Sequence, residues 1–435
     1  MNRLSCDDPD VFKKLASILA TSSQDAQVAQ VVSEVLDSIR VKGDDALLAF
    51  TKEFDHAVMT PDEIRVSEDE FVRSIELLAV ADRDAIEEAK ANVMQFHAHS
   101  HPEDWMAINS HGGKVGERHY PLNRIGVYVP GGQVPLVSTV IMTTSLAQAA
   151  GVPEIAVATP PRPDGSISPA LLAALSLCGV DEVYKVGGAQ AIAAFAHGTK
   201  SIPTVDKIFG PGNAYVNEAK RQVFGTVGID LLPGPSEVMV IVDETANPAF
   251  AAAALLAQAE HGSGKETVFL VSESYEIIEQ VLVELEDQIK GLEHRESIER
   301  CLEAGLCVLH AKSETNVIEV ANFIAPEHLE LQVHEERLEG FTAAISTAGA
   351  IFQGHDSPTV LGDFAAGPSH VLPTGRASRF SSGLRLSDFL RRSSIVRYDR
   401  EALEAARSVI ESFSAMENLD AHGRSLTIRL ENPEA

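Results

Sequence analysis

The sequence predicts an α/β protein with two Rossmann-like parallel-sheet domains that lack a full G-x-G-x-x-G motif, plus small helical segments at both ends. Three observations support this fold class. Between Arg124 and Asp243, short apolar runs alternate regularly with stretches of helical period. Almost every apolar run ends at Gly or Pro, as strands of a doubly covered parallel sheet do. The alternation resumes after Asp243, which predicts a second set of βα units.

The first hundred residues have a charged, helical character. The segment 28–40, V-A-Q-V-V-S-E-V-L-D-S-I-R, spaces its apolar residues at heptad-like intervals, which predicts a helix. The N-terminus, M-N-R-L-S-C-D-D-P-D, does not have the basic start and apolar core of a signal peptide. Uncharged apolar runs stay below the ~18 residues that a membrane span requires. We therefore expect a cytoplasmic protein.

The region from Arg124 to Asp243 predicts strand–helix pairs in strict succession. The predicted strands are 124–132, 153–161, 181–188 and 205–212, and the predicted helices are 138–151, 168–179, 189–198 and 213–224. Strands that alternate with helices of this length form parallel sheets. Ligands of such sheets bind outside the carboxyl ends of the strands. The glycine turns there are where a dinucleotide would lie.

The second set of βα units begins with the Ala/Leu-rich helix that ends in Q-A-E-H, residues 258–261. It continues with strands, a long charged helix and a further helix. The strands are at 267–272, 306–311 and 329–333, the charged helix is at 275–290, and A-A-I-S-T-A-G-A-I-F follows at 343–352. From about Leu384 the chain becomes helical and charged again.

Charge and cysteine content exclude several classes of protein. Lys and Arg total 35 and Asp and Glu total 63, so the net charge is -28. This acidity argues against a general affinity for nucleic acid or anionic membranes, which basic surfaces bind. The four cysteines, Cys6, Cys178, Cys301 and Cys307, contain no C-x-x-C pair. They predict buried thiols in a reducing compartment rather than a disulfide framework.

Two glycine-rich turns are candidate nucleotide-binding sites. G-P-G-N-A at 210–214 and G-G-A-Q-A at 187–191 each follow a predicted strand and open a helix. The complete dinucleotide fingerprint is absent, but backbone amides at a helix N-terminus are the physical requirement. Asn213 and Gln190 place a side-chain amide at each turn. A plain tight turn is the alternative interpretation of either one.

Polar side chains in four distant segments are candidates for a metal or catalytic site. Gln258 and His261 share one helix face, although a C-terminal His with Gly262 as the cap is the ordinary alternative. Glu327-His328 follows a Pro and starts an element; it could be an acid/base pair or a Glu complementing a helix dipole. The remaining candidates are Asp363 and His370 in the Gly/Pro-rich loop 354–375, and Glu417 and His422 in a charged tail that is otherwise a typical solvated face. Such nitrogen and oxygen ligands without thiolates suit a zinc-like ion.

The sequence resembles the histidinol dehydrogenase family over essentially its whole length. The stretches that carry the resemblance occur in the same order as in the family. They are G-V-Y-V-P-G-G (126–132), V-G-G-A-Q-A-I-A (186–193), D-K-I-F-G-P-G-N-A-Y-V-N-E-A-K-R-Q-V (206–223), G-P-S-E-V (234–238), L-L-A-Q-A-E-H-G (255–262), A-P-E-H-L (325–329), L-G-D-F-A-A-G-P-S-H-V-L-P-T (361–374) and L-D-A-H (419–422).

The resemblance implies an enzyme that oxidises L-histidinol to L-histidine through the aldehyde, using two NAD molecules and one zinc ion per subunit. It implies an intertwined homodimer in which the C-terminal segment completes the partner's site. The domains it implies are 1–23, an N-terminal helical segment; 24–127 with 236–383, the main α/β domain; 128–235, the NAD-binding domain; and 384–435, the C-terminal helical segment.

The family's functional positions carry over residue by residue. The implied zinc ligands are Gln258, His261, Asp363 and His422, and the implied acid/base pair is Glu327 and His328. The implied substrate contacts are Ser138, Ser236, Gln258, His261, His328, Asp363, His370, Glu417 and His422. The implied NAD contacts are Tyr128, Gln190 and Asn213.

Some alternatives stay open at this stage. Phe364, Ser369 and the loop 132–139 depart from many family members, which leaves substrate tolerance undecided. A related dehydrogenase of another polar alcohol, such as a sulfonated diol, would keep the fold and the chemistry. A zinc hydrolase would bind no nucleotide. A metal-binding scaffold would not need the Glu327-His328 pair.

Overall fold

Two parallel β-sheets and one small antiparallel sheet organise the computed structural model, which describes residues 1–19, 26–131, 136–261 and 264–432. The strands are β1 Asn2–Ser5, β2 Trp105–Ile108, β3 Lys114–Pro121, β4 Arg124–Tyr128, β5 Glu154–Thr159, β6 Glu182–Lys185, β7 Lys207–Phe209, β8 Gly228–Ile229, β9 Glu237–Val242, β10 Thr267–Ser272, β11 Leu306–His310, β12 His328–Gln332, β13 Ala350–Gln353 and β14 Leu390–Arg397.

The helices cover the parallel sheets and form the C-terminal segment. They are α1 Val11–Leu19, α2 Ala26–Lys42, α3 Asp44–Phe54, α4 Glu68–Leu77, α5 Val80–Ala98, α6 Val137–Ala149, α7 Pro169–Leu177, α8 Gly188–His197, α9 Ala214–Val223, α10 Pro248–Ala259, α11 Tyr275–Gln288, α12 Arg295–Gly305, α13 Glu314–Ile324, α14 Glu335–Ala344, α15 Val360–Phe364, α16 Arg400–Ala405, α17 Arg407–Met416 and α18 Asp420–Glu431.

The first parallel sheet has the strand order β6-β5-β4-β7-β8. The chain starts in the middle at β4, runs outward through β5 and β6, and then crosses to β7. Helices α2, α3, α8 and α9 line one face, and α4 to α7 line the other. This is a doubly wound arrangement, whose order reverses beside β4, so its ligand-binding crevice is expected at the carboxyl ends of β4 and β7.

The second parallel sheet has the order β1-β11-β10-β9-β12-β13. Helices α10 to α12 pack on one face, and α1, α13 and α14 pack on the other. Strand β1 pairs with β11 at the edge of the sheet. The sequence did not predict this strand, because N-R-L-S is short and mostly polar and its partner lies 300 residues away in the chain.

The antiparallel sheet has the order β14-β3-β2. The prediction of helix from Leu384 onward is wrong for β14, where L-R-R-S-S-I-V-R forms a strand. This strand pairs with β3 on one side and exposes Arg391, Arg392 and Arg397, so its apolar content is too low to signal a strand. Helices α16 to α18 confirm the helical character further on, and they pack chiefly on one another.

The described chain supports the predicted fold class and leaves the domain boundaries as a prediction. Helices α2 to α5 pack on the first parallel sheet, whereas residues 237–353 supply most of the second. Cys178, Cys301 and Cys307 are buried free thiols, as predicted, and Cys6 is half-buried. Among the described residues, no helix combines the length and apolar character needed to cross a bilayer.

Candidate active site

Glu327 and His328 lie where two neighbouring strands of the second parallel sheet begin. His328 is the first residue of β12, which pairs in parallel with β9, and β9 begins at Glu237. This confirms that the Glu-His pair starts an element. The pair therefore lies at the amino edge of its sheet. Helix α10, which runs back from the end of β9, brings its C-terminal residues to the same edge.

The Glu327 carboxylate is held by the segment that leads into β9. Its Oε2 accepts a hydrogen bond from the Glu237 backbone N–H at 2.9 Å, and the Ser236 hydroxyl also donates to it. Glu327 is buried, and this burial, together with the neighbouring carboxylates of Glu237 and Asp363, raises its pKa well above the ordinary value. A carboxylate with a raised pKa is a stronger base near neutral pH.

Glu237 is a buried carboxyl group that the sequence analysis missed. Its backbone N–H donates to Glu327 and its carbonyl accepts from His328, so the backbone of one residue orients both side chains of the pair. Its Oε1 accepts from the Gly375 N–H at 3.2 Å, and burial raises its pKa to about 7. The available signal was a lone Glu opening the otherwise apolar strand E-V-M-V-I-V.

Three histidines at the site have the same kind of contact with the backbone. The Nδ1 of each faces a backbone carbonyl: His328 faces Glu237 at 3.2 Å, His370 faces Asp363 at 3.2 Å, and His261 faces Gln258 at 3.1 Å. Because a carbonyl only accepts, Nδ1 carries the hydrogen in His328 and His370, whereas His261 Nδ1 also lies 3.4 Å from Gln258 Nε2, which donates. The neutral rings of His328 and His370 are then left with a lone pair on Nε2, which is what a general base or a metal ligand needs.

Burial lowers the pKa of both His328 and His370 to about 4. The neighbouring His261 lowers both values further. At neutral pH both imidazoles are therefore uncharged. His328 can accept a proton through Nε2, which is the requirement for the predicted base.

Asp363 lies next to these rings. Its Oδ1 is 3.8 Å from His328 Nε2 and 4.0 Å from His370 Nδ1. Burial raises its pKa to about 6, and nearby His261 opposes this rise. Helix α15, which carries Asp363, is anchored to β12 through Thr359, whose N–H and hydroxyl both donate to Glu330 Oε2. The long loop thus returns a carboxylate to the start of the strand.

The chain brings together three of the four predicted metal ligands. Gln258 is buried in the last turn of α10, with Nε2 3.4 Å from His261 Nδ1, and His261 is close enough to Asp363 to act on its pKa. The predicted cap, Gly262, lies outside the described residues. His422, in contrast, is exposed on α18. Within the described ranges, no group of three or more His, Cys, Asp or Glu residues could hold a metal.

The donors that the described residues bring together fit zinc in kind, and they are three of the four predicted ligands. An amide oxygen, an imidazole nitrogen and a carboxylate oxygen suit zinc. The fourth predicted ligand, His422, lies with the exposed Glu417 in the segment α17–α18, which packs on its own helices. The described chain therefore does not bring His422 and Glu417 together with the other predicted residues.

Of two other predicted substrate contacts, Ser236 touches the pair, and Ser138 lies on a helix that contacts the segment before His370. Ser236 immediately precedes β9 and its hydroxyl contacts Glu327. Ser138 is half-buried in the first turn of α6. One turn further along α6, the Met142 carbonyl lies 3.4 Å from the Ser369 hydroxyl, and Ser369 precedes His370.

The predicted nucleotide contacts lie at the carboxyl edge of the first parallel sheet. Tyr128 ends β4, and its buried hydroxyl accepts from the Gly188 N–H at 3.2 Å. Gln190 is buried in the first turn of α8. Asn213 is exposed and caps α9, because its Oδ1 accepts from Tyr215 and Val216 N–H groups. Both glycine turns follow a strand and open a helix, as predicted.

A buried ion pair holds the turn at Gly210. Asp230 accepts from the Gly210 N–H at 2.7 Å, and Lys220 donates to the Gly210 carbonyl at 2.9 Å. Lys220 and Asp230 also pair with each other, and both side chains are almost fully buried. Gly210 has a φ of +109°, and an added Cβ would overlap the Tyr128 carbonyl oxygen. Only glycine therefore suits this turn.

Comparisons with known proteins converge on one family. The family model described as histidinol dehydrogenase matches residues 19–430. A histidinol dehydrogenase of Aromatoleum aromaticum is 40% identical over 432 residues, covering 99% of this chain and 98% of the relative. One of Bacillus cereus is 41% identical over 428 residues, covering 97% and 98%. The crystal structure of histidinol dehydrogenase from Elizabethkingia anophelis matches with a TM-score of 0.94 at 36% identity, covering 100% of this chain and 99% of that one.

Proposed function

The chain belongs to the histidinol dehydrogenase family and is an oxidoreductase, and we propose that it oxidises L-histidinol to L-histidine through a bound aldehyde, with two NAD molecules per turnover and one zinc ion per subunit. The observation that carries the two-step chemistry is the buried Glu327-His328 pair beside Asp363. The two side chains offer two different bases. The zinc hydrolase and the metal-binding scaffold are wrong, and the sulfonated-diol dehydrogenase is not favoured.

His328 is the base of the first oxidation. Its Nδ1–H is committed to the Glu237 carbonyl, so Nε2 takes the proton of the substrate hydroxyl. NAD supplies the chemistry of hydride acceptance when it is bound. The low pKa of His328 keeps the ring neutral and ready for this proton at the start of each turnover.

Glu327 is the base of the second oxidation. Its raised pKa makes the carboxylate able to take a proton from a water molecule that attacks the aldehyde. The Glu237 N–H and the Ser236 hydroxyl hold the carboxylate in one orientation. The buried pair keeps the aldehyde away from bulk water between the steps.

Gln258, His261, Asp363 and His422 are the residues that would hold zinc. A zinc ion at this site would orient the substrate and make its carbonyl carbon more electrophilic. The imidazole of His261 and the carboxylate of Asp363 would provide a nitrogen and an oxygen donor. Ser236, His370 and Glu417 would contact the substrate around these donors.

A second copy of the chain would supply His422 and Glu417. Large apolar side chains are exposed on β2, β14, α17 and the turn after it, which is unusual for a surface that faces water. They are Trp105, Met106, Ile108, Val396, Val409, Phe413, Met416 and Leu419. We propose that this surface is buried in a homodimer. The free thiols support a reducing compartment, so we place the enzyme in the cytoplasm.

Complementation tests the shared site. His261→Asn and His422→Asn subunits are each expected to be inactive as homodimers. Co-expression gives mixed dimers with one intact site, so about a quarter of wild-type activity is expected in a statistical mixture. An inactive mixture with normal dimer content would show that each site belongs to one chain.

The first test of the whole proposal is the ratio of NADH formed to L-histidinol consumed. Two NADH per histidinol, abolished by a chelator and restored by zinc, is the expected result. One NADH per histidinol would mean that the aldehyde leaves and that Glu327 has another role. No turnover with histidinol and NAD would refute the proposed function.

A further inference from the structure

The first parallel sheet lacks a carboxylate where a dinucleotide-binding sheet usually has one. In doubly wound sheets an acidic residue near the end of the second strand binds the adenosine ribose. Here the second strand in chain order is β5, which ends at Thr159 and is followed by P-P-R-P. The next acid, Asp164, binds the N–H and hydroxyl of Ser166 within its own turn.

Asp55 brings a carboxylate to that edge from a different element. It follows α3, which packs on the face of the sheet that α8 also covers. A Cβ added to Gly187, just after β6, would lie 2.9 Å from Asp55 Oδ1 and 2.5 Å from Pro160 Cβ. The carboxylate therefore lies beside the carboxyl ends of both β5 and β6.

Asp55 also contacts the predicted cofactor residues. Gln190 Nε2 is 3.4 Å from Asp55 Oδ2, and the Gly187 N–H donates to the same carboxylate. The Tyr128 hydroxyl lies 3.2 Å from the Gly188 nitrogen, and the charge of nearby Asp55 helps to raise the pKa of Tyr128. Asp55 is half-buried, and a carboxylate has about four acceptor positions, so two donors leave room for more.

We infer that Asp55 is the residue that selects NAD over NADP, by accepting hydrogen bonds from the adenosine ribose hydroxyls and repelling a 2′-phosphate. This inference rests on the proposed NAD dependence. His56 lowers the pKa of the neighbouring Asp55, and the basic side chain of Arg162 is exposed in the segment after β5. The repulsion from Asp55 would act against these basic groups.

A purely structural role is the competing explanation. Because Asp55 accepts the Gly187 N–H at the start of α8, it could serve only as a cap that joins α3 to α8. Asp55→Asn separates the two roles, since the amide oxygen still accepts this hydrogen bond while the negative charge is removed. Loss of a cap would lower stability and would change kcat/KM for NAD and NADP alike. Loss of the charge would change the ratio of the two kcat/KM values.

Asp44→Asn is the matched control. Asp44 opens the same helix α3 and accepts from the N–H and hydroxyl of Ser201, so it makes the same kind of contact at the other end of α3. The assay measures kcat/KM for NAD and for NADP at saturating L-histidinol, with the dissociation constants of NADH and NADPH for the metal-loaded enzyme.

Asp55→Asn is expected to lower kcat/KM for NAD by about tenfold and to raise that for NADP by about tenfold, the effect of one charged hydrogen bond and one removed repulsion. Asp44→Asn is expected to leave the ratio at the wild-type value. An unchanged ratio in Asp55→Asn, with NAD turnover intact in the wild type, overturns this inference alone. A wild type that binds neither dinucleotide overturns the proposed function and this inference with it.

Discussion

Glu327→Gln is expected to separate the two oxidation steps. The glutamine keeps an oxygen that can accept the Glu237 N–H, which lies 2.9 Å away, so the local geometry survives. What is lost is the ability to take a proton from water. The second oxidation should slow by about 100- to 10,000-fold, the usual contribution of a general base. The first oxidation uses His328 and should change little.

The same substitution is expected to stabilise the protein at alkaline pH. The folded-state pKa of Glu327 is raised, so its favourable contribution is complete below pH 4.5 and is lost as pH rises through the folded pKa. Glutamine imitates the protonated form at every pH. We therefore expect the variant to be more stable than the wild type at pH 8 and almost equally stable at pH 4.

The assay compares NADH formation from L-histidinol with that from the aldehyde, and thermal unfolding at both pH values. The variant should form close to one NADH rapidly and the second slowly. Glu330→Gln is the matched control for the ratio of the two steps, because Glu330 is a buried carboxylate on the same strand and accepts hydrogen bonds from Thr359. Equal slowing of both steps, or a stability loss at pH 8, would refute the assigned role of Glu327.

Two further predictions concern acid stability and the cofactor turn. Because burial lowers the pKa of both His328 and His370 to about 4, the folded state binds fewer protons than the unfolded state below pH 6.5. In the presence of a chelator, the free energy of unfolding should be highest above pH 6.5 and should decrease towards pH 4 by about 1–3 kcal/mol per ring. A His370→Gln variant whose free energy of unfolding decreases as steeply as that of the wild type would contradict this. Gly210→Ala should raise the KM for NAD by about tenfold or more, because the displaced turn would lose a charge-assisted hydrogen bond to the cofactor. Gly291→Ala is the control, since the added carbon there has open space around it, and it should leave the KM unchanged. Equal KM values for the two variants would show that the Gly210 turn does not contact NAD.

The order of the central elements could be predicted from local pattern alone. Short apolar runs that end in Gly or Pro correspond to β4 to β7, and the run T-V-F-L-V-S corresponds to β10. The prediction works because a strand covered on both faces must be apolar at every position. The pairing of β1 with β11 could not be found in this way, since it depends on a contact between distant segments.

The sequence by itself determined the kinds of side chain at the site, and the tertiary structure decided their states. Glu327 and His328 were visible as candidates because an adjacent Glu and His follow a Pro, and Asp363 because it lies in a long Gly/Pro-rich loop. That His328 leaves Nε2 free, and that the pKa of Glu327 is raised, follow from Glu237 and from burial. The role of Asp55 also depends on packing, because a helix outside the sheet carries this carboxylate to the strand ends. A protonation state depends on solvent exclusion and on neighbouring groups that are brought together in space. The local sequence determines neither of them.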